Sequence, residues 1–239
     1  MSQYIDAHCH VLDTLQMRNA MARGVGRFIM NATRPSDWNA VIKISMDDGV
    51  LGAIGVHPWY VADLPLGWDD DLIKLLADNS HLMVGEIGLD KNRPDMEKQI
   101  SVFARQLQIA HNLGRVAHIH VVGAWGKIMG ILRENKLPPA MVFHAFSGSV
   151  EIMHELTKMG AYFSFGWGVV DARHENMRAL VASVPENRIL VESDAPDGTM
   201  PDKIPDIVAE IAKVRGAKVD FMAEKIFENT MGLINDRPV

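Results

Sequence analysis

The chain has one cysteine, Cys9, among its 239 residues. That excludes an intramolecular disulfide and removes any argument for an oxidising compartment. No apolar stretch approaches the roughly 20 residues that a membrane-spanning helix needs. No basic segment followed by a long apolar run opens the sequence, so no secretory leader is expected and the expected location is cytoplasmic. Basic runs are missing too: 24 Lys and Arg stand against 30 Asp and Glu, a formal net charge of −6. With the cations dispersed, a strong duplex-binding surface is not expected, although a local phosphate site is not excluded. There is no Gly-rich fingerprint after the first apolar run, no Walker-type loop and no Gly-x-Ser-x-Gly elbow.

What is present is an alternation. Short, nearly continuous apolar runs read as strands at 4–10, 27–33, 50–57, 82–90, 115–122, 140–147, 161–167 and 188–195. Such continuity suits parallel strands buried on both faces rather than half-solvated antiparallel ones. Helical spacing lies between them. In "EKQISVFARQLQIAHNLG", Ile100, Phe103, Leu107 and Ala110 share a face and Gly114 is placed to end the helix. In "SVEIMHELTKMG", Ser149 is the expected N-cap, Ile152, Met153 and Leu156 face inward, and Gly160 marks the stop. Two more helices are expected at 205–215 and 219–234. Eight strands with intervening helices predict a single α/β domain over 1–239, a (β/α)8 TIM barrel. A doubly wound open sheet is the alternative; it normally needs fewer strands and a Gly-rich phosphate loop.

Strand alternation puts His8 and His10 on one side and sends Cys9 to the other. Alone, this His-x-His pair is weak evidence for a metal. Later strands change the weighing: Glu86 ends the fourth, His120 the fifth, His144 the sixth and Asp194 the eighth. Barrel enzymes place their chemistry at the C-terminal ends of strands. Four imidazoles and two carboxylates there suit divalent-metal binding, and six ligands exceed what one tetrahedral ion requires. One or two divalent ions are therefore expected; zinc, manganese, magnesium, iron and nickel are not distinguished. Asp6 and Glu192 each precede a ligand by two residues. They read equally as supports for a ligand or as buried acids paired for the fold. His57 follows the third strand and is expected to contact substrate. His118 reads as a hydrogen-bonded core histidine. Trp59, Tyr60, Trp125 and Trp167 are expected around the mouth of the site.

The motifs "DAHCHVLD", "GVHPW", "VGEIGLD", "VFHAFSGS" and "ILVESDAP", with "NTMGLI" near the C-terminus, together resemble the TatD-type metal-dependent hydrolases over essentially the whole chain. The resemblance implies a TIM-barrel hydrolase with one or two divalent ions, in a family that includes deoxyribonucleases and related phosphodiesterases. It implies His8, His10, Glu86, His120, His144 and Asp194 as metal ligands, with Glu86 bridging, and matches His57 to the histidine after the third strand. Three departures stand out. Val122 occupies the place of an arginine after the fifth-strand histidine, the loop after "DAP" lacks an Arg-Asn pair, and Lys91 replaces an aromatic residue. Two phosphate-gripping groups are thereby lost. Lys91, Arg93, Lys127 and Arg173 lie in strand-to-helix loops and are candidates to compensate, although ordinary solvated charges are the expectation.

The leading expectation is hydrolysis of phosphoester bonds by metal-activated water, with Asp194, Glu86 and His57 catalytic and Asp194 accepting the water's proton. The substrate expected is a small molecule or a nucleic-acid end. An amidohydrolase acting on an amide, lactone or ester is the alternative within enzymes, and a catalytically silent binding barrel the alternative outside them. Membrane partners are not expected, and the oligomeric state is open.

Overall fold

The structure is a computed structural model that describes residues 4–10 and 13–235; Val11 and Leu12 of the first motif lie outside the described residues. Eight strands form one sheet in sequence order: β1 Tyr4–Cys9, β2 Val25–Asn31, β3 Val50–Ile54, β4 Met83–Asp90, β5 Ala117–Val122, β6 Met141–Phe143, β7 Ala161–Phe165 and β8 Ile189–Val191. Among the described residues nine α-helices accompany them: α1 Thr14–Ala22, α2 Trp38–Ile44, α3 Trp68–Asp78, α4 Met96–Asn112, α5 Trp125–Glu134, α6 Val150–Lys158, α7 Glu175–Ser183, α8 Ile204–Arg215 and α9 Val219–Asn235. Pairing is parallel between β3 and β4, β4 and β5, β5 and β6, and β7 and β8. This is the (β/α)8 TIM-barrel class, and every expected strand is present. By internal contacts the chain divides into two compact units, one of 4–10, 13–29 and 144–235 and one of 30–143.

The local reasons are visible in the sequence. All eight residues of β4 are buried, as a strand covered on both faces requires. Helix α1 starts at a reciprocal cap: the Asp13 carboxylate accepts from the Gln16 amide and the Gln16 side chain accepts from the Asp13 amide, both at 2.8 Å. Ser149 caps α6, accepting from the Ile152 amide at 3.3 Å. Three aspartates in the first turn of α3 face its positive end. Helix α4 closes at Gly114, whose positive φ lets Arg115 N–H reach the Ala110 carbonyl at 2.8 Å.

The strands are shorter than their apolar runs. β3 stops at Ile54, β6 at Phe143 and β8 at Val191, so His57, His144 and Asp194 lie in the segments just beyond. Conversely, Glu86 is in the middle of β4 and His120 is inside β5. Helix α4 also departs from expectation: Ile100 is half-buried, while Gln99 and Gln106 are fully buried.

Candidate active site

In the first unit, backbone hydrogen bonds tie the end of β1 to the segment after β8. The Asp194 amide donates to the His8 carbonyl at 3.0 Å and the His10 amide to the Ala195 carbonyl at 2.8 Å. Asp194 has a φ of 53°, a left-handed conformation that aspartate tolerates better than most residues. The turn depends on Gly198, where a Cβ would stand 2.3 Å from the Ser193 carbonyl oxygen. The result brings His8 Nε2 and His10 Nε2 to 3.8 and 3.6 Å from Asp194 Oδ1. His144 stacks on His8, with ring centroids 4.1 Å apart and planes 8° from parallel.

Two buried acids support this group from beneath. Asp6 accepts from the Ser193 hydroxyl at 2.5 Å, the Ser193 amide at 2.9 Å and the His8 amide at 3.4 Å. It therefore fastens backbone rather than an imidazole. Burial pushes its carboxyl up to about 7, against the pull of the Ser193 hydrogen bonds. Glu192 takes the Ala145 amide at 2.7 Å on one oxygen and the Ser164 hydroxyl on the other, with His144 Nδ1 at 3.8 Å. Cys9 faces away as alternation predicts, is fully buried, and points its thiol at the Ile29 carbonyl.

In the second unit, the parallel register between β4 and β5 shifts between Val84 and Ile87. The break falls at Glu86, and such irregularities commonly re-aim a side chain near functional sites. Gly88, two residues on, pairs with His120 so closely that a Cβ would lie 1.9 Å from the His120 carbonyl oxygen. Only glycine permits that approach. Glu86 Oε1 then lies 3.0 Å from His120 Nδ1 and 3.3 Å from His57 Nε2. His57 Nδ1 accepts the Trp59 amide at 3.2 Å. In the neutral ring, Nε2 therefore carries the proton, which makes His57 a hydrogen-bond donor toward Glu86 rather than a ligand through that nitrogen.

Three residues that the sequence reading passed over complete this group. Asp90, buried, accepts the Trp59 indole N–H at 2.7 Å and has Oδ2 3.9 Å from His120 Nε2. Gln106 binds both backbone groups of Val56, accepting at 2.7 Å and donating at 3.0 Å. Gln99 accepts the Asp90 amide at 2.9 Å and donates to the Asp90, Arg93 and Pro94 carbonyls. A polar residue on a helix normally signals solvent, so the only hint was two glutamines seven positions apart on the stripe of Phe103 and Leu107.

Among the described residues three sets of donors have ligand atoms within 4.8 Å of one another: His8, His10 and Asp194; His8, His144 and Glu192; and His57, Glu86 and His120. Ligand atoms about 2.1 Å from a shared ion stand roughly 3.0–3.4 Å apart in octahedral or tetrahedral geometry. The 3.0 Å between His120 and Glu86 falls in that range, and the 3.8 and 3.6 Å of His8 and His10 from Asp194 lie a few tenths of an ångström beyond it. Separations of 3.6–3.8 Å are too long for direct hydrogen bonds. The donors are imidazole nitrogen and carboxylate oxygen, the set that divalent transition ions favour.

This arrangement can be set beside known proteins. Residues 5–235 match the family described as TatD related DNase. The chain belongs to that family. It is 26% identical to the uncharacterized metal-dependent hydrolase YjjV of Escherichia coli strain K12, with 98% of each chain covered. It is 31% identical to the 3'-5' ssDNA/RNA exonuclease TatD of Dickeya dadantii, covering 88% of this chain and 87% of that protein. The crystal structure of the TatD homologue YjjV from Escherichia coli superposes with a TM-score of 0.92 at 25% identity, over 98% of both chains.

Proposed function

We propose that the chain acts as a single divalent-metal-dependent hydrolase domain that cleaves phosphoester bonds. Its ligands are His8, His10, His144 and Asp194 in one unit and Glu86 and His120 in the other. The observation that carries this reading is the convergence of imidazole nitrogens on Asp194 and Glu86, at distances too long for hydrogen bonds at Asp194 and within the ligand-to-ligand range at Glu86. Family membership and the exonuclease name of a 31%-identical relative support the phosphoester class. The proposed substrate is a small phosphodiester or the end of a single-stranded nucleic acid, in keeping with a net charge of −6. Among the described residues no helix is long and apolar enough to cross a membrane, and the proposed location is the cytoplasm.

One or two ions, when bound, supply Lewis-acid stabilisation of the phosphoryl oxygens and lower the pKa of coordinated water toward neutrality. The protein's own groups do the rest. Asp194, half-buried and held by the His8 carbonyl through its amide, accepts the proton of the attacking water and returns it to the leaving oxygen. His57 offers its Nε2 proton to a phosphoryl oxygen as charge develops there, with Trp59 N–H holding its tautomer. Glu86, buried at the register break of β4, is the carboxylate that orients both His57 and His120. Glu192 and Asp6 hold the backbone on which His144 and Asp194 depend.

The test is a substrate panel with purified protein and added divalent ions. Phosphodiesters, amides and lactones are assayed side by side, with and without chelator. Chelator-sensitive phosphodiester turnover is expected, with Asp194→Asn lowering kcat by roughly 10²–10⁴-fold. Turnover of an amide or lactone with no phosphodiester cleavage would replace this reading with the amidohydrolase one.

A further inference from the structure

Arg93 is an exposed residue in the loop after β4, and its surroundings are more specific than those of a solvated loop charge. Its guanidinium carbon lies 4.0 Å over the Trp59 ring. The indole N–H is anchored to Asp90, and the Trp59 ring meets the edge of His57 at 5.1 Å. Arg93 is thus two ring contacts from the histidine that faces Glu86. Its loop is pinned as well, because fully buried Gln99 donates to the carbonyls of Asp90, Arg93 and Pro94.

The charge of Arg93 is available. Several other arginines are committed to carboxylates: Arg34 to Asp37, Arg105 to Asp69, Arg173 to Asp171 and Arg178 to Glu210. Among the described residues Arg93 makes no ion pair. A guanidinium held over an aromatic ring uses its face in that contact. Its N–H groups lie at the edge of the plane, where they can bind two oxygens of one phosphate.

We infer that Arg93, held over Trp59, is a substrate-binding residue that grips a phosphate neighbouring the scissile one in a single-stranded nucleic acid. The inference rests on the phosphoesterase reading for the word scissile, while the phosphate site itself rests on the Arg93–Trp59–Asp90 geometry. Arg93 is thereby set apart from an ordinary loop charge. Arg173, exposed and bound to Asp171, is one.

The test compares wild type, Arg93→Gln and Arg93→Lys as full-length protein with added divalent ion. Binding is read from the fluorescence anisotropy of labelled tetrathymidylate carrying phosphorothioate linkages, across a range of salt. Arg93→Gln is expected to weaken binding roughly 10- to 100-fold. The slope of log affinity against log salt should become shallower by about 0.7, the share of one single-strand phosphate contact. Lysine should recover part of the affinity and the full slope. In turnover, the rise in KM on unmodified tetrathymidylate should exceed that on bis(p-nitrophenyl) phosphate, which has no neighbouring phosphate, by roughly tenfold. Equal binding and equal slope for Arg93→Gln overturn the inference, as does an equal KM change on both substrates. Arg93-dependent binding without any phosphoester turnover would uphold the phosphate site and refute the proposed reaction. Phosphodiester turnover with Arg93-independent binding would do the reverse.

Discussion

Gln106→Leu should be among the costliest near-isosteric changes in the chain, although no substrate group is expected to touch Gln106. The side chain is fully buried on α4 and both of its polar ends are spent on Val56, itself 1% exposed. Leucine fills nearly the same space but leaves the Val56 N–H and C=O unpaired in a dry interior. Each orphaned group costs about 1–3 kcal/mol, so the pair should cost about 2–6 kcal/mol. That is a large part of a typical stability of roughly 5–15 kcal/mol. For a chain of this size it corresponds to a Tm fall of roughly 4–24 °C. The assay is urea unfolding followed by circular dichroism, with the midpoint shift read at unchanged m value. Because Val56 precedes His57, kcat on a phosphodiester should fall while KM changes little. A stability within about 0.5 kcal/mol of wild type would show that the two hydrogen bonds do not hold the segment carrying His57.

Other consequences are simpler to test. Gly88→Ala puts a methyl group 1.9 Å from the His120 carbonyl oxygen; a loss of about 3 kcal/mol or more, or insoluble protein, is expected on thermal melting. Cys9 is fully buried, so the folded protein should leave Ellman's reagent uncoloured at neutral pH and release one equivalent of thiolate colour once unfolded. The Arg105 hydrogen bond holds Asp69 below the ordinary carboxylate range. A depressed pKa stabilises the fold above the unfolded-state value and loses that contribution as pH falls through the lower folded-state value. The stability difference between wild type and Arg105→Ala should therefore be full at neutral pH, below about 1 kcal/mol for so exposed a pair, and vanish in acid.

The barrel was legible because its strands are buried on both faces, and β4 shows why: eight consecutive buried residues leave an apolar run that no amphipathic helix produces. Where each strand stops was not legible. Burial continues past Phe143 into His144 and past Val191 into Glu192 and Ser193, but the chain turns there through Ala145 at φ 42° and Asp194 at φ 53°, and pairing rather than hydropathy sets the end. The same gap explains Glu86, which the motif placed at a strand end and the structure places at a register break inside one. The histidines and acids of the site were readable because such residues rarely recur at successive strand ends without a reason. Gln99, Gln106 and Asp90 were not, because their value lies in backbone groups distant in sequence. Arg93 was one of four loop cations that the sequence could not rank; the Trp59 ring beneath it distinguishes it from Arg173.

The central claim is that these imidazoles and carboxylates hold divalent ions that the reaction needs. Metal content by inductively coupled plasma mass spectrometry, measured on the same samples as phosphodiester turnover, tests it most directly. The account predicts at least one divalent ion per chain in wild type, with His8→Ala and Glu86→Ala each losing bound metal and activity together. Wild-type protein that hydrolyses phosphodiesters without divalent metal, or variants that keep full activity after losing it, would contradict the account.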